Sequence, residues 1–295
     1  MKIHEMTISV VGLLMAGLFD VHANNLFESD WASGNIYQFT PTGVRSTFAS
    51  GLSSPEGLAF DQAGNLFVGN AGASEIVKIT PDGTKIVFAS GFLNPYGLAF
   101  NTVGDLFVST DSGTIMRITP GGVTSTFAAG FNQPFGIAFD RTGNLFVADA
   151  GHYQIVKVSP DGQKSVFASG IQNYPEGFAF NSAGDLFMSH VGGGITRFTS
   201  TGSPSAFASG SSLWLGLAFD ASGNLFAADS GNNRIIEFTP DGLMTTFSSA
   251  VSQPFGLAFE GVVLPVPEPS VLCLVAAGLA GIIGRCRLFQ SKKSA

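Results

Sequence analysis

The stretch P-E-G-L-A-F at 55–60 returns as P-E-G-F-A-F at 175–180. The same slot reads P-Y-G-L-A-F at 95–100, P-F-G-I-A-F at 134–139, W-L-G-L-A-F at 214–219 and P-F-G-L-A-F at 254–259. Its glycine falls at 57, 97, 136, 177, 216 and 256, a step of 39 to 41 residues. Two further markers keep that step: the leucine of N/D-L-F at 26, 66, 106, 145, 186 and 225, and the phenylalanine of F-A-S-like segments at 48, 88, 127, 167, 207 and 247. Six copies of a unit this long mark a repeat architecture.

Inside one unit, four short β-rich runs alternate with turn chemistry: G-L-A-F, D-Q-A-G-N, L-F-V-G, a loop, I-V-K-I, T-P-D-G and K-I-V-F-A-S. Pro-Asp-Gly combines a preset φ, a side chain that bonds its own backbone and a position tolerant of positive φ, as a tight hairpin requires. No run has the period of an amphipathic helix. Each unit therefore predicts a four-stranded antiparallel meander, and six of them an all-β, six-bladed propeller, which hides sheet edges by radial repetition. Three phenylalanine columns in six copies account for 18 of the 28 Phe and are expected between blades. The last inner-strand copy has no strands after it, and the first unit lacks one before it. Residues 257–259 are expected to pair with 26–28 and close the circle.

The segments V-A-D-A-G-H-Y-Q-I-V-K-V (147–158) and A-A-D-S-G-N-N-R-I-I-E-F (227–238) resemble NHL repeats. The body, 24–260, is similar to the NHL and SMP-30/gluconolactonase group of six-bladed propellers. WD40 fits less well, because no unit contains Trp-Asp.

The two ends give the cellular address. Residues 1–23 read as a signal peptide, with Lys2, an apolar stretch from Thr7 to Phe19, and Val21-His22-Ala23 before the cut; the alternative is a buried N-terminal strand. At the other end, V-P-E-P-S closes a linker over 261–270, followed by an apolar segment at 271–284 and a basic tail at 285–295. Fourteen apolar residues fall short of the roughly 20 that span a bilayer. Pro267-Glu268-Pro269 in this order of elements resembles the PEP-CTERM sorting signal. That resemblance implies an exosortase as processing partner, transient membrane association through the tail, and export to the cell surface, outer envelope or extracellular matrix of a bacterium. An ordinary C-terminal anchor is the alternative.

Both cysteines, Cys273 and Cys286, lie in the tail, so the body holds neither a thiol nucleophile nor a Cys-ligated zinc. Residues 24–264 carry 9 Lys and Arg against 18 Asp and Glu, which argues against a nucleic-acid partner. Outside the signal only His152 and His190 remain, too few for a three-His zinc site.

Two copies of the opening motif differ in kind. Glu56 and Glu176 stand where the others carry Tyr96, Phe135, Leu215 and Phe255. In an up-and-down meander these positions share a face with the residues ending strand two: Asp30, Asn70, Thr110, Asp149, His190 and Asp229. If strand one is innermost, as the resemblance implies, the two glutamates open onto the central channel from opposite blades. Glu56 and Glu176 with Asn70, Asp149 and Asp229 form a hard oxygen set suited to Ca²⁺ or Mg²⁺, although no cofactor is required for a binding role. The lactonase relatives bind a metal at this mouth with a Glu that begins an inner strand, a position that Glu56 matches in kind. The other reading is two solvated charges, with each strand-two Asp bonding its own loop.

Glu176 and His190 are the catalytic candidates, since streptogramin-lyase-like propellers employ a histidine; drift within a repeat is the alternative for His190. Trp31 and Trp214, in blades adjacent across the closure, are candidate platforms for a sugar ring beside Glu56, Glu176 and Tyr96; packing within loops is their alternative fate. The leading expectation is an exported binding or scaffold module for matrix polysaccharide or an envelope protein. A metal-dependent hydrolase or lyase is its rival.

Overall fold

A computed structural model describes residues 24–210 and 212–261. Residues 1–23, where a signal peptide is expected, and the sorting motif and segments after it lie outside the described residues, and no described helix is long and apolar enough to cross a membrane. The described chain forms six four-stranded antiparallel sheets. Blade 2 is typical, with an inner strand Pro55–Phe60, then Leu66–Asn70, Glu75–Ile79 and an outer strand Lys85–Ser90. Blades 3, 4, 5 and 6 begin on Pro95–Phe100, Pro134–Phe139, Pro175–Phe180 and Trp214–Phe219.

Blade 1 takes its inner strand, Pro254–Phe259, from the far end of the chain, and Leu26–Asp30, Asn35–Phe39 and Arg45–Ala49 from the beginning. Leu26 faces Phe259, Phe27 faces Ala258 and Glu28 faces Leu257, the register expected from the two incomplete units. Glu260 donates its amide to the Asn25 carbonyl just beyond the seam.

The phenylalanine columns meet between blades. In each of the six interfaces the strand-two phenylalanine makes edge contacts with the outer-strand phenylalanine of its own blade and the inner-strand phenylalanine of the next. Phe146 with Phe167 and Phe180 is one such triad, at 4.8 and 5.1 Å between centroids. The triad at the seam, Phe226 with Phe247 and Phe259, has the same geometry at 5.1 and 5.0 Å. Each edge contact adds roughly 0.5–1.5 kcal/mol to the burial of the rings.

The inner-strand glycine is fixed by the neighbouring blade. A Cβ on Gly57 would lie 2.0 Å from the Tyr96 carbonyl oxygen, and one on Gly136 would lie 2.2 Å from that of Glu176. Only hydrogen fits where six backbones converge on one axis. The hairpins on the opposite face use the expected chemistry. Gly83 has φ +84° and donates to the Thr80 carbonyl at 2.8 Å, while Thr80 bonds the Asp82 carboxylate.

The repeat also has an alternation finer than the 40-residue period. Blades 2, 4 and 6 leave strand two through a 3₁₀ turn, Ala71–Ala73, Ala150–His152 and Ser230–Asn232. Blades 1, 3 and 5 use a tight turn with a left-handed glycine, Gly34, Gly113 and Gly193, and carry a serine in strand two. Ser109 accepts from the Gly97 amide and donates to the Phe135 carbonyl, so it joins the inner strands of neighbouring blades; Ser29 and Ser189 do the same at their positions. The ring is thus three blade pairs.

Candidate functional site at the channel mouth

The inner strands run from one face of the disc to the other and enclose a cavity of about 110 Å³ on the axis. Its wall is apolar, formed by Leu58, Leu98, Ile137, Phe178, Leu217 and Leu257. At the end where the inner strands begin, the lining passes to Tyr96, Phe135, Glu176, Leu215 and Phe255. Tyr96 and Phe135 meet edge to face at 5.0 Å.

Glu56 holds the equivalent position in blade 2 and is only 6% exposed. Its Oε2 has no hydrogen-bond partner. Burial pushes its carboxyl up to about 8, the nearby charges of Asp111 and Glu176 push the same way, and a hydrogen bond from the Trp31 side chain opposes them. Burial alone pushes Glu176 up to about 8. Tyr96 is pushed up to about 12 by burial and by the charges of Asp111 and Glu56. The mouth is therefore one electrostatic unit in which Glu56, Tyr96, Asp111 and Glu176 bear on one another, with Trp31 beside Glu56. Asp111 is exposed and held by the Asn94 amide at 3.0 Å.

The remaining candidate ligands are committed elsewhere. Asn70 accepts the Ser53 amide at 2.6 Å and donates to Glu75 at 2.8 Å. Asp149 accepts the Asn132 amide at 2.7 Å, Gln154 at 2.7 Å and the His152 ring at 2.9 Å. Asp229 takes Ser212, Asn232 and Arg234, the last at 2.6 Å. Asp30 bonds the Ser252 amide at 2.6 Å. These four side chains do one job, tying the end of strand two to the loop that leads into the inner strand of the same blade. Among the described residues, no group of three or more His, Cys, Asp or Glu is placed to hold a metal ion. Glu56 and Glu176 share the mouth; Asn70, Asp149 and Asp229 are engaged in the loops around it.

His190 and Glu176 do not form a pair. The His190 ring lies 3.4 Å from the Asn173 side chain and 3.4 Å from the Val191 carbonyl. It lines a different recess of about 360 Å³ between blades 4 and 5, with Met188, Thr196 and Phe198. The side chain has turned outward because Gly194 leaves room for it; a Cβ there would lie 2.5 Å from the ring.

The two tryptophans also separate. Trp31 is 44% exposed, whereas Trp214 is 1% exposed and stacks obliquely on Phe238 at 5.7 Å, its indole donating to Ser212 at 3.1 Å. Trp214 replaces the proline of the other inner strands and fills space beside Gly210, where a Cβ would meet it at 2.5 Å. It is a packing residue and presents no face to a ligand; Trp31 alone keeps the platform geometry.

The repeat signal could have found two residues that sequence reasoning passed over. Glu28 stands in the strand-two column of Val68, Val108, Val147, Met188 and Ala227. It is fully buried, and neither carboxyl oxygen has a partner. Burial and then the charge of Asp30 hold its pKa well above the usual range, against a smaller pull from Arg45. Asp111 follows the end of strand two, where the other blades carry Trp31, Ala71, Ala150, Val191 and Ser230.

Comparison with known proteins adds an address and a fold. Residues 265–287 match the PEP-CTERM protein-sorting motif. The chain therefore carries a signal for export with exosortase processing, which places it at the surface or outside of a bacterium. No curated protein matches it in sequence. Among solved structures, a streptogramin B lyase is similar at 15% identity and TM-score 0.63, over 80% of this chain and 87% of that one. A catalytically inactive virginiamycin B lyase from Staphylococcus aureus, solved with quinupristin, is similar at 16% identity and TM-score 0.61, over 82% and 94%. The nidogen/laminin complex gives 17% identity and TM-score 0.72, over 80% and 98%. At these identities the likeness is one of fold.

Proposed function

We propose that the protein is an extracellular binding or scaffold module of the cell surface or matrix, and that it engages its ligand at the Glu56–Glu176 mouth. One observation carries this reading: Glu56, Glu176, Asp111 and Trp31, which depart from the repeat, gather at that mouth, while the opposite face keeps similar turn chemistry blade after blade. Topology supports it. Leu26–Asp30 begins and Pro254–Phe259 ends on the face away from the mouth. Both ends of the propeller thus leave from the back, and a chain held by its C-terminal segment presents the mouth outward. Matrix polysaccharide and envelope proteins are the partner classes in reach.

In sequence character the blades resemble those of the NHL and SMP-30 propellers. A metal-dependent hydrolase or lyase is the second reading, favoured by the raised carboxyls of Glu56 and Glu176. It is weakened by the commitment of Asn70, Asp149 and Asp229 to loops and by the outward turn of His190.

The test is capture of matrix polysaccharides and envelope proteins on the immobilised exported protein. Retention should be lost in a Trp31→Ala, Glu56→Gln, Glu176→Gln triple variant. Retention that is indifferent to all three changes would move the ligand site away from the mouth. Titration with Ca²⁺ and Mg²⁺ separates the readings, since the enzyme requires a metal heat that the module does not.

A further inference from the structure

We propose that the mouth is a receptor for an organic cation, a primary ammonium carried on a short apolar stem. The inference rests on the reading of the mouth as the ligand site and adds the chemistry of the ligand.

Charge is the first argument. Glu176 lines the opening, Glu56 and Asp111 lie close enough to act on one another there, and among the described residues no Lys or Arg lies on an inner strand or on the loops that ring the mouth. Of the bases at that face among the described residues, Arg234 at the start of its strand is taken by Asp229 at 2.6 Å, His152 bonds Asp149 at 2.9 Å, and His190 turns into the recess between blades 4 and 5. The other bases sit on third and outer strands or on the far turns, where Lys85 and Lys164 hold backbone carbonyls of neighbouring blades. Glu56 and Glu176 hold their protons in the empty mouth up to about pH 8, so an entering cation would displace those protons, with the nearby charge of Asp111 attracting it first.

The second argument is an unmet bond. Glu56 is more than nine-tenths buried, and its Oε2 touches no donor. An orphaned buried carboxyl oxygen costs roughly 1–3 kcal/mol or more, which a cationic donor would relieve. The third is the wall itself. Tyr96, Phe135 and Phe255 set aromatic rings at the opening, Trp31 lies beside Glu56, and only aliphatic and phenylalanine side chains follow below. Ring faces attract ammonium groups, and an apolar shaft of about 110 Å³ admits a stem of a few carbons.

A metal ion fits less well. Calcium takes about 6–8 oxygens, whereas the neighbouring Asn70, Asp149 and Asp229 are already bonded. An ammonium has three donors and is met by carboxyl groups on two sides, which ionise as it binds, and by a ring on the third.

The experiment is calorimetric titration of the exported protein with butylammonium, in parallel with 1-butanol and CaCl₂, while Trp31 fluorescence is followed. Butylammonium should bind saturably and butanol should not. Glu56→Gln and Glu176→Gln should each weaken binding about tenfold, as expected for loss of a charged hydrogen bond. Asp111→Asn, on the surface and harmless to folding, should weaken it by about threefold through the lost longer-range attraction. Trp31→Phe should keep the heat and lose the fluorescence change. Absence of saturable butylammonium heat, equal affinity for butanol, or affinity unchanged in Asp111→Asn and both Gln variants would overturn the proposal. Matrix capture that depends on the mouth residues, without ammonium binding, would overturn the ligand class while leaving the binding-module reading intact. A calcium heat lost in the Gln variants, with no ammonium heat, would overturn both in favour of a metal site.

Discussion

The phenylalanine belt and the channel mouth are built from the same six inner strands, yet the belt repeats in every blade and the mouth does not. Each interface contains the same edge-packed triad, and each glycine of the inner strand meets the same carbonyl of the next blade. Four residues earlier along those strands the equivalence ends, with Glu56, Tyr96, Phe135, Glu176, Leu215 and Phe255 in one column. The belt must satisfy two neighbouring blades at once, so any departure is felt on both sides. A side chain at the mouth has fewer neighbours, as Tyr96 meets Phe135 alone among the described rings, and it faces an open channel. Repetition therefore marks what holds the ring, and departures from it mark what the ring can be used for. The glutamates, in blades 2 and 5, break the alternation of paired blades as well, since one lies in each type.

The sharpest way to break this contrast is to cut the belt. Phe146→Ala should cost about 3–5 kcal/mol, the usual loss for a buried aromatic, read as a lower urea midpoint. The same change at Phe135, in the mouth column, should cost far less; equal losses at the two sites would remove the distinction.

The glycine contact comes next. In Gly177→Ala the new Cβ would lie 2.2 Å from the Leu215 carbonyl oxygen, a backbone atom that no rotamer change can clear. A loss on the order of 3 kcal/mol is expected, within the range for core overpacking and backbone strain. A thermal melt indistinguishable from wild type would mean that the inner strands are not in van der Waals contact.

Glu28 is the one place where a non-repeating acid sits in the body of an interface. Restoring the column residue by Glu28→Val should stabilise the protein by about 1–3 kcal/mol at neutral pH, because it removes an unsatisfied buried carboxyl. A destabilised variant would imply a partner for Glu28 and set it among the functional residues.

The smallest effect per step is the pH dependence of the mouth. Glu56 and Glu176 hold their protons up to about pH 8 in the folded chain, against about 4.3 when unfolded. Their contribution is fully present below the unfolded value and is lost as pH rises through about 8. The slope reaches at most about 1.4 kcal/mol per pH unit for each group. Glu28 adds in the same direction. The melting temperature should fall between pH 5 and pH 8, and the fall should shrink in the Glu56→Gln/Glu176→Gln variant. A melting temperature that climbs over this interval in wild type would contradict the buried, proton-holding mouth.

Much of the architecture was legible in the sequence. Blade number, strand order, the hairpin chemistry and the seam register follow from markers that recur every 39 to 41 residues, because each reports a local need repeated six times. The pairing of Leu26 with Phe259 followed from two incomplete units, each holding what the other lacked. The position of Glu56 and Glu176 at one opening was legible for the same reason.

Their neighbours were not. Asp149 and Asp229 share a face with the glutamates, but the direction of a carboxylate depends on which donor lies nearest, and loop donors lie nearest, the Asn132 amide for one and the Ser212 hydroxyl for the other. His190 belongs by position to the mouth and by side-chain direction to the crevice between blades 4 and 5, because Gly194 happens to leave space there. Trp31 and Trp214 are alike in composition and opposite in exposure.

By itself, then, the sequence determined the ring, its closure and its cellular address, since periodicity, turn chemistry and a contiguous sorting motif are properties of the chain read along its length. Tertiary structure alone decided which acids are spent on loops and which remain for a ligand. That choice depends on distances between side chains from different blades, which no spacing within one blade records.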